Sequence, residues 1–349
     1  MSTRIQKPKI GITIGDINGI GPEVIIKTLS DNRILSHCTP IIYGSTKTLS
    51  FYKKLMENKE FNYSQVKEGD HFFSKKINVV NCWEDVIDIT PGIPTEKSGK
   101  SAFLAIQKAT EDLKSRAIDA IVTAPIDKKN IQNETFKFAG HTEYFAQEFE
   151  AKNSLMLLSS DNLRVGVATG HIPISKVSGL LTKELIKNKI SVLLKSLKID
   201  FGISKPKIAV LGLNPHAGEE GLIGSEENDS IIPAIADIKN KGNLIYGPFP
   251  SDGFFGTEQY KKYDGILAMY HDQGLIPFKT LAFDTGVNFT AGLSVVRTSP
   301  DHGTAFNIAG KNSANETSLR AAIYQALDIV KNRQELEINT TNSIQKNKK

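Results

Sequence analysis

Short apolar runs alternate along this chain with longer stretches of helical periodicity. Runs of the first kind include Ile10–Ile14, Ile118–Val122, Leu155–Leu158, Arg164–Thr169, Lys207–Leu213, Gly265–Met269 and Val295–Arg297. Such a rhythm predicts repeated strand–helix–strand units and a mostly parallel sheet, because parallel neighbours need a long crossover and a helix is the usual one. Between the runs, Phe103, Ile106, Ala109 and Leu113 share one helical face, and so do Leu185, Ile186, Ile190, Leu193, Leu194 and Leu197 behind a capping Thr182. Both stripes read as core-facing. Gly21-Pro22 ahead of Glu-Val-Ile-Ile predicts a third helix with proline at its start. With 349 residues the chain is long for one small core, and two α/β lobes are expected. Residues 57–78 read as an irregular polar excursion, and the sequence loses its period after about Arg333, which predicts a frayed polar tail.

Composition excludes several classes of function. The net charge of +5 is modest, and Lys331, Arg333, Lys346, Lys348 and Lys349 near the end face only Glu335 and Glu337. No basic stripe marks a nucleic-acid partner. Cys38 and Cys82 form neither a CxxC pair nor a disulfide framework, and no apolar run suits a signal peptide or a bilayer span. A reduced, cytoplasmic protein is expected, without a membrane or nucleic-acid partner.

Three of the seven histidines share one setting. His171, His216 and His271 each follow an apolar strand directly and stand in a turn rich in Gly, Pro or Asp: Ala168-Thr-Gly-His171-Ile-Pro, Leu213-Asn-Pro-His216-Ala-Gly and Met269-Tyr-His271-Asp-Gln-Gly. Open α/β sheets bind ligands beyond the carboxyl ends of their strands. Three imidazoles there leave a fourth coordination position open, as in a catalytic metal site able to polarise a hydroxyl or carbonyl oxygen. One turn histidine alone would carry no such meaning. Asp272 reads equally as a partner of His271, a further ligand or a plain turn residue.

Other segments suit anions. Gly140-His141-Thr142-Glu143 enters a helix, whose free N–H groups favour phosphate or carboxylate, although Thr142 alone reads as a cap. Lys279, Asn288 and Arg297 lie near glycine-rich turns and suit an anion clamp, or else ordinary surface charge. The loop Ile14-Gly-Asp-Ile-Asn-Gly-Ile-Gly21-Pro22 follows a strand, but its glycines are not spaced as GxGxxG and it has no P-loop lysine. It reads as a tight turn and not as a nucleotide cradle. Pro300–Lys311 is a further turn whose backbone can come close to a cofactor at Gly303.

Taken together, Ile14-Gly-Asp…Gly19-Ile-Gly-Pro-Glu, Thr123-Ala-Pro-Ile-Asp-Lys128, Gly140-His-Thr-Glu, Leu213-Asn-Pro-His-Ala-Gly-Glu, Met269-Tyr-His-Asp-Gln-Gly, Val287-Asn-Phe-Thr-Ala-Gly-Leu and Arg297-Thr-Ser-Pro-Asp-His-Gly-Thr resemble the 4-hydroxythreonine-4-phosphate dehydrogenase family of pyridoxal phosphate biosynthesis. They run in family order from about residue 10 to 311. Ile17-Asn18, residues 57–78 and Asn312–Leu319 depart from the family pattern. The resemblance implies a two-lobed α/β fold like that of isocitrate and isopropylmalate dehydrogenases, with a mostly parallel sheet and a cleft between lobes. Residues 1–128 with 284–335 would form the NAD lobe, 129–283 the metal and dimer lobe, and 336–349 a polar tail.

The resemblance also implies NAD- or NADP-dependent oxidation of 4-phosphooxy-L-threonine to 2-amino-3-oxo-4-phosphooxybutanoate, which decarboxylates to 3-amino-2-oxopropyl phosphate. It places one divalent metal (Zn, Mg or Co) on His171, His216 and His271, and the phosphorylated substrate on His141, Thr142, Lys279, Asn288 and Arg297. NAD falls on His302, Gly303, Thr304 and Ala305. Asp272, Asp252 and Lys128 are the candidates for proton transfer. The family's homodimer shares metal ligands across its subunit interface. A dehydrogenase of 4-phospho-threonate or 4-phospho-erythronate is the alternative, and a phosphate acyltransferase a more distant one.

Overall fold

The structure is a computed structural model that describes residues 7–67 and 70–346, with side chains as far as residue 339. It divides into two compact units: Met1–Phe149 with Val295–Val330, and Glu150–Ser294 with Lys331–Lys349. Strands β1 (Lys9–Thr13), β2 (Thr39–Gly44), β3 (Tyr63–Val66), β4 (Ile77–Asn81) and β5 (Ala120–Thr123) belong to the first unit. The second contains β6 (Leu155–Ser159), β7 (Arg164–Val167), β8 (Lys207–Leu211), β9 (Leu244–Phe249), β10 (Gly265–Ala268) and β11 (Val287–Ala291). The chain then returns to the first with β12 (Val296–Pro300).

In the first unit the strands lie in the order β3-β4-β2-β1-β5-β12, and every pairing is parallel. An all-parallel sheet must be covered on both faces, so its strands are apolar nearly throughout. Ile10, Ile12, Ile121 and Val122 are accordingly inaccessible to solvent. The helix Glu96–Lys114 lays Ala102, Ala105, Ile106, Ala109 and Leu113 on the core, and Thr95 and Ser98 close its start with a capping box. The chain leaves β1 toward β2 on one side and returns on the other at β5. This makes the carboxyl ends of β1 and β5 the switch point where such sheets bind ligands.

In the second unit the order is β11-β6-β7-β10-β8-β9. Strands β7, β10, β8 and β9 are parallel neighbours, while β6 runs antiparallel to both β7 and β11. The helix Lys183–Ile199 buries Ile186, Ile190, Leu193 and Leu197, and the Thr182 side chain caps it by accepting from the Leu185 N–H.

Three expectations change. The units divide at 149/150, 294/295 and 330/331, not at 128/129, 283/284 and 335/336. Tyr144 stacks on Phe136 and meets Phe145 edge-on, and Phe136 meets Phe103 of the helix Glu96–Lys114, so residues 129–149 stay with the first unit. Residues 287–291 zip onto β6 and belong to the second, as does Arg333, which holds Asp200 at 2.7 Å. The span 57–78 is no simple excursion: it supplies edge strand β3, and Phe61 is fully buried. The tail is not frayed across the described residues, because one helix runs from Thr317 to Lys346; its early apolar face is buried and Leu336 and Ile338 are exposed. Among the described residues no helix is long and apolar enough to cross a membrane.

Candidate active site

Strand order places the three histidines at the carboxyl ends of three adjacent strands, with β10 between β7 and β8. The ends of β7 and β10 are tied directly: the Thr169 hydroxyl donates to the Met269 carbonyl at 2.7 Å, and the Thr169 N–H donates to the same oxygen. This brings the rings of His171 and His271 to 5.5 Å between centroids. His271 Nδ1 lies 2.7 Å from Asp272 Oδ1. A carboxylate there holds the proton on Nδ1 and leaves the Nε2 lone pair outward, as in metal-binding histidines. Of the readings left open for Asp272, the geometry favours a partner of His271.

His216 leaves β8 in an unusual loop. His216, Ala217, Gly218, Glu219 and Glu220 all have positive φ, and four of them carry side chains that disfavour it. His216 is exposed and does not join the other two imidazoles. Among the described residues no three His, Cys, Asp or Glu side chains gather closely enough to hold one metal ion. One chain therefore brings together two of the three expected ligands, and their donor chemistry suits a divalent transition metal. Asp252 is exposed in the first turn of the helix Ser251–Gly256, Lys279 is half-buried in the helix His271–Ala282, and Asn288 is half-buried on β11.

The first unit carries a different group. Arg297, on β12, is only 2% exposed and donates to Thr123 Oγ1 at the end of β5, through Nε at 3.2 Å and Nη2 at 2.7 Å. Burial lowers its pKa to about 9 against the pull of Glu143, so the guanidinium keeps its charge at neutral pH. His141 stands at the start of the helix His141–Glu148, with Nε2 buried and without a hydrogen-bond partner. Burial, followed by the positive charges of Arg297 and Lys128, pushes its pKa well below the usual histidine range. The result is a neutral imidazole near a buried cation at a helix N-terminus, a setting that recognises an oxyanion. Thr142 is half-buried in the first turn and does not cap the helix, which follows Gly140. Lys128 is exposed, with Cε 3.7 Å from where a Gly140 Cβ would stand.

The segment expected to meet NAD is held against the first glycine-rich turn. The Ile20 N–H donates to the Thr304 carbonyl at 2.9 Å, and a Cβ on Gly19 would lie 3.0 Å from that oxygen. Gly303 faces open space, Ala305 has positive φ, and His302 Nδ1 lies 3.1 Å from the Gly303 carbonyl. Fully buried Glu23 accepts from the N–H groups of Gly310 and Ala314 and fixes the following loop. The turn itself is tight, as expected: Gly15 has a φ of +73°, and a Cβ there would lie 2.4 Å from the Pro125 carbonyl.

Fold and site define the class first: an α/β enzyme that recognises a small anionic substrate. More particularly, the chain belongs to the pyridoxal phosphate biosynthetic PdxA family, which residues 36–326 match. It is 49% identical over 342 residues to the 4-hydroxythreonine-4-phosphate dehydrogenase of Bacteroides thetaiotaomicron, covering 98% of this chain and 94% of that relative. A D-threonate 4-phosphate dehydrogenase named from Oceanobacillus iheyensis is 37% identical, over 93% of this chain and 98% of its own. The crystal structure of 4-hydroxythreonine-4-phosphate dehydrogenase from Klebsiella pneumoniae superposes with a TM-score of 0.81 at 36% identity, covering 94% of this chain and 99% of that one.

Residue-by-residue reading missed Thr123 as the partner of Arg297, 174 positions away. It also missed Asp16, whose buried carboxylate accepts from Ser98, Asn130 and the Asn18 N–H and so joins the first turn to the loop of Lys128. Burial raises the Asp16 pKa against these bonds.

Proposed function

We propose that the chain oxidises 4-phosphooxy-L-threonine at C3 with NAD or NADP, giving 2-amino-3-oxo-4-phosphooxybutanoate, which loses carbon dioxide to form 3-amino-2-oxopropyl phosphate. Arg297 carries this reading: a buried, charged guanidinium beside neutral His141 is the chemistry that holds a phosphate or carboxylate. Thr142, in the first turn of the His141 helix, would assist them, and the resemblance proposes Lys279 and Asn288 as further substrate donors. His302, Gly303, Thr304 and Ala305 would take the cofactor, where Gly303 leaves the backbone open to approach.

His171 and His271 would hold one divalent cation (zinc, magnesium or cobalt), with His216 contributed by a second copy of the chain in a homodimer. Separation of His216 from the other two within one chain supports that sharing. When bound, such a cation lowers the pKa of the substrate hydroxyl and steadies the charge that develops on its oxygen. When bound, the nicotinamide would accept hydride from C3, and a protein group would take the hydroxyl proton. Asp272 is engaged with His271 Nδ1, so it serves better as an orienting group than as the acceptor. Asp252 and Lys128 are the acceptors to be separated by substitution.

The relative named for D-threonate 4-phosphate keeps one second reading open, since that substrate differs only in bearing a hydroxyl in place of the amine at C2. A panel of 4-phosphorylated C4 acids assayed for NADH formation, with and without chelator, tests both. The amino substrate should react, chelator should stop it, and added cation should restore it. NADH formation from phosphothreonate alone would overturn the substrate assignment.

A further inference from the structure

The exit of β8 toward His216 passes through one peptide group that is held at both ends. The Gly212 carbonyl accepts from Gln273 Nε2 at 2.6 Å, and the Leu213 N–H donates to Glu227 Oε1 at 2.7 Å. These are the two polar groups of a single planar peptide, and in the trans form they point in opposite directions. Gln273 and Glu227 therefore grip the same plane from opposite sides.

Each gripping residue is itself anchored. Gln273 Oε1 accepts from the Met269 N–H at 2.6 Å, and its Nε2 also donates to Ser251 Oγ at 2.7 Å. Its partners fix which end of the amide is oxygen. One side chain thus joins the end of β10, two residues before His271, to the exit of β8 and to the residue beside Asp252. Glu227 is 2% exposed, and its carboxylate also accepts from the Asn214 N–H and the Asn214 side chain, each at 2.8 Å. It fills the space beneath the loop: a Cβ on Gly218 would lie 2.6 Å from its Oε2. A run of left-handed residues persists only where its surroundings over-determine it, and this carboxylate provides much of that constraint.

From this arrangement we infer that Gln273 and Glu227 are a pair of positioning residues: by fixing the Gly212–Leu213 peptide they set the direction in which His216 is presented, in register with His271 and Asp252. The role rests on the proposed use of His216 as a ligand and deepens it.

Gln273→Glu gives the decisive variant. It keeps size and the acceptor for Met269, but turns an acceptor toward the Gly212 carbonyl. Ser251 can rotate its hydroxyl to compensate; a carbonyl cannot. Hydrogen exchange of the backbone at 213–214 should speed up at least about tenfold, while protection elsewhere holds. Affinity for Co²⁺, titrated directly, should fall by roughly 10–100-fold, the usual cost of losing a group that orients a ligand, and kcat should fall with KM for NAD within about twofold. Glu227→Gln sets an amide against the Asn214 side chain and should show the same split. Because both act on one peptide, the double variant should lose less kcat than the product of the two single losses. Unchanged local exchange with unchanged kcat, exchange accelerated across the whole chain, or a multiplicative double variant would overturn the inference. A parent protein that binds no Co²⁺ would instead sink the metal reading, while exchange and the kcat coupling still judge the clamp.

Discussion

The two units prepare their candidate residues in opposite ways. In the first, Arg297 is buried, partnered by Thr123 and set near a buried imidazole nitrogen. In the second, the histidines stand at strand ends; His171 and His216 are exposed, and only two of the three are together. Parallel pairing throughout the first sheet encloses β5 and β12, so a polar residue on them is forced into the interior and needs a partner there. The histidines lie past the strands, where bonds such as those from the Thr169 hydroxyl and N–H to the Met269 carbonyl aim them without fully burying them. The proposed anion group is thus part of the fold, whereas the imidazoles of the proposed metal site lie outside the packed interior. Substitutions should separate these two kinds of residue.

The sharpest separation is expected at His216. His216→Asn is preferable to Ala because Asn tolerates the positive φ of this position. Turnover should fall by about 10³-fold or more, the scale of losing a group that stabilises charge at the reacting oxygen. Folding stability should stay within about 0.5 kcal/mol of the parent, as for other surface changes. Paired kinetics and urea denaturation would show it, and a stability loss as large as the loss of turnover would erase the contrast between the units.

Arg297→Lys should show the reverse mixture. Lysine keeps the charge but loses the fork that reaches Thr123, so about 1.5–3 kcal/mol of charge-assisted hydrogen bonding is at stake. KM for the phosphorylated substrate should rise roughly 10–100-fold, with KM for NAD nearly unchanged, and stability should drop as well. An unchanged substrate KM would remove Arg297 from the anion group.

The same contrast explains what could be read in advance. The strand-end setting of His171, His216 and His271 was legible because the signal is local: an apolar run, a turn, an imidazole. The capped helix behind Thr182 was legible for the same reason. Strands β2 and β9 were not, since Thr-Pro-Ile-Ile-Tyr-Gly and Leu-Ile-Tyr-Gly-Pro-Phe each contain the residues that usually end strands. Pro40 is tolerated near the start of β2, and Pro248 on an edge strand whose register shifts. Val287–Ala291 was not legible as a strand because its strand character depends on pairing with β6, more than 120 residues earlier. The Arg297–Thr123 bond and the grip of Gln273 and Glu227 on one peptide join segments with no shared periodicity. Nothing local encodes such pairs; only the folded sheet brings them together.

The smallest effect concerns His141. Its folded pKa lies well below the ordinary value of 6.5 because burial, and then Arg297 and Lys128, disfavour the imidazolium. Between those two pKa values the unfolded chain binds a proton at this residue that the folded chain refuses. Stability therefore falls as the pH drops below about 6.5, by at most about 1.4 kcal/mol per pH unit for one such group. Well above that range the residue is neutral in both states and contributes no pH dependence. His141→Gln removes the titration while keeping a polar side chain. Urea denaturation of parent and variant at about pH 7.5, 6.5 and 5.5 should show the parent losing ground on acidification relative to the variant. Parallel pH dependences would mean that His141 takes up its proton as readily folded as unfolded. The first unit would then share the solvent-accessible character of the second, and its anion group would have to be understood as a surface clamp.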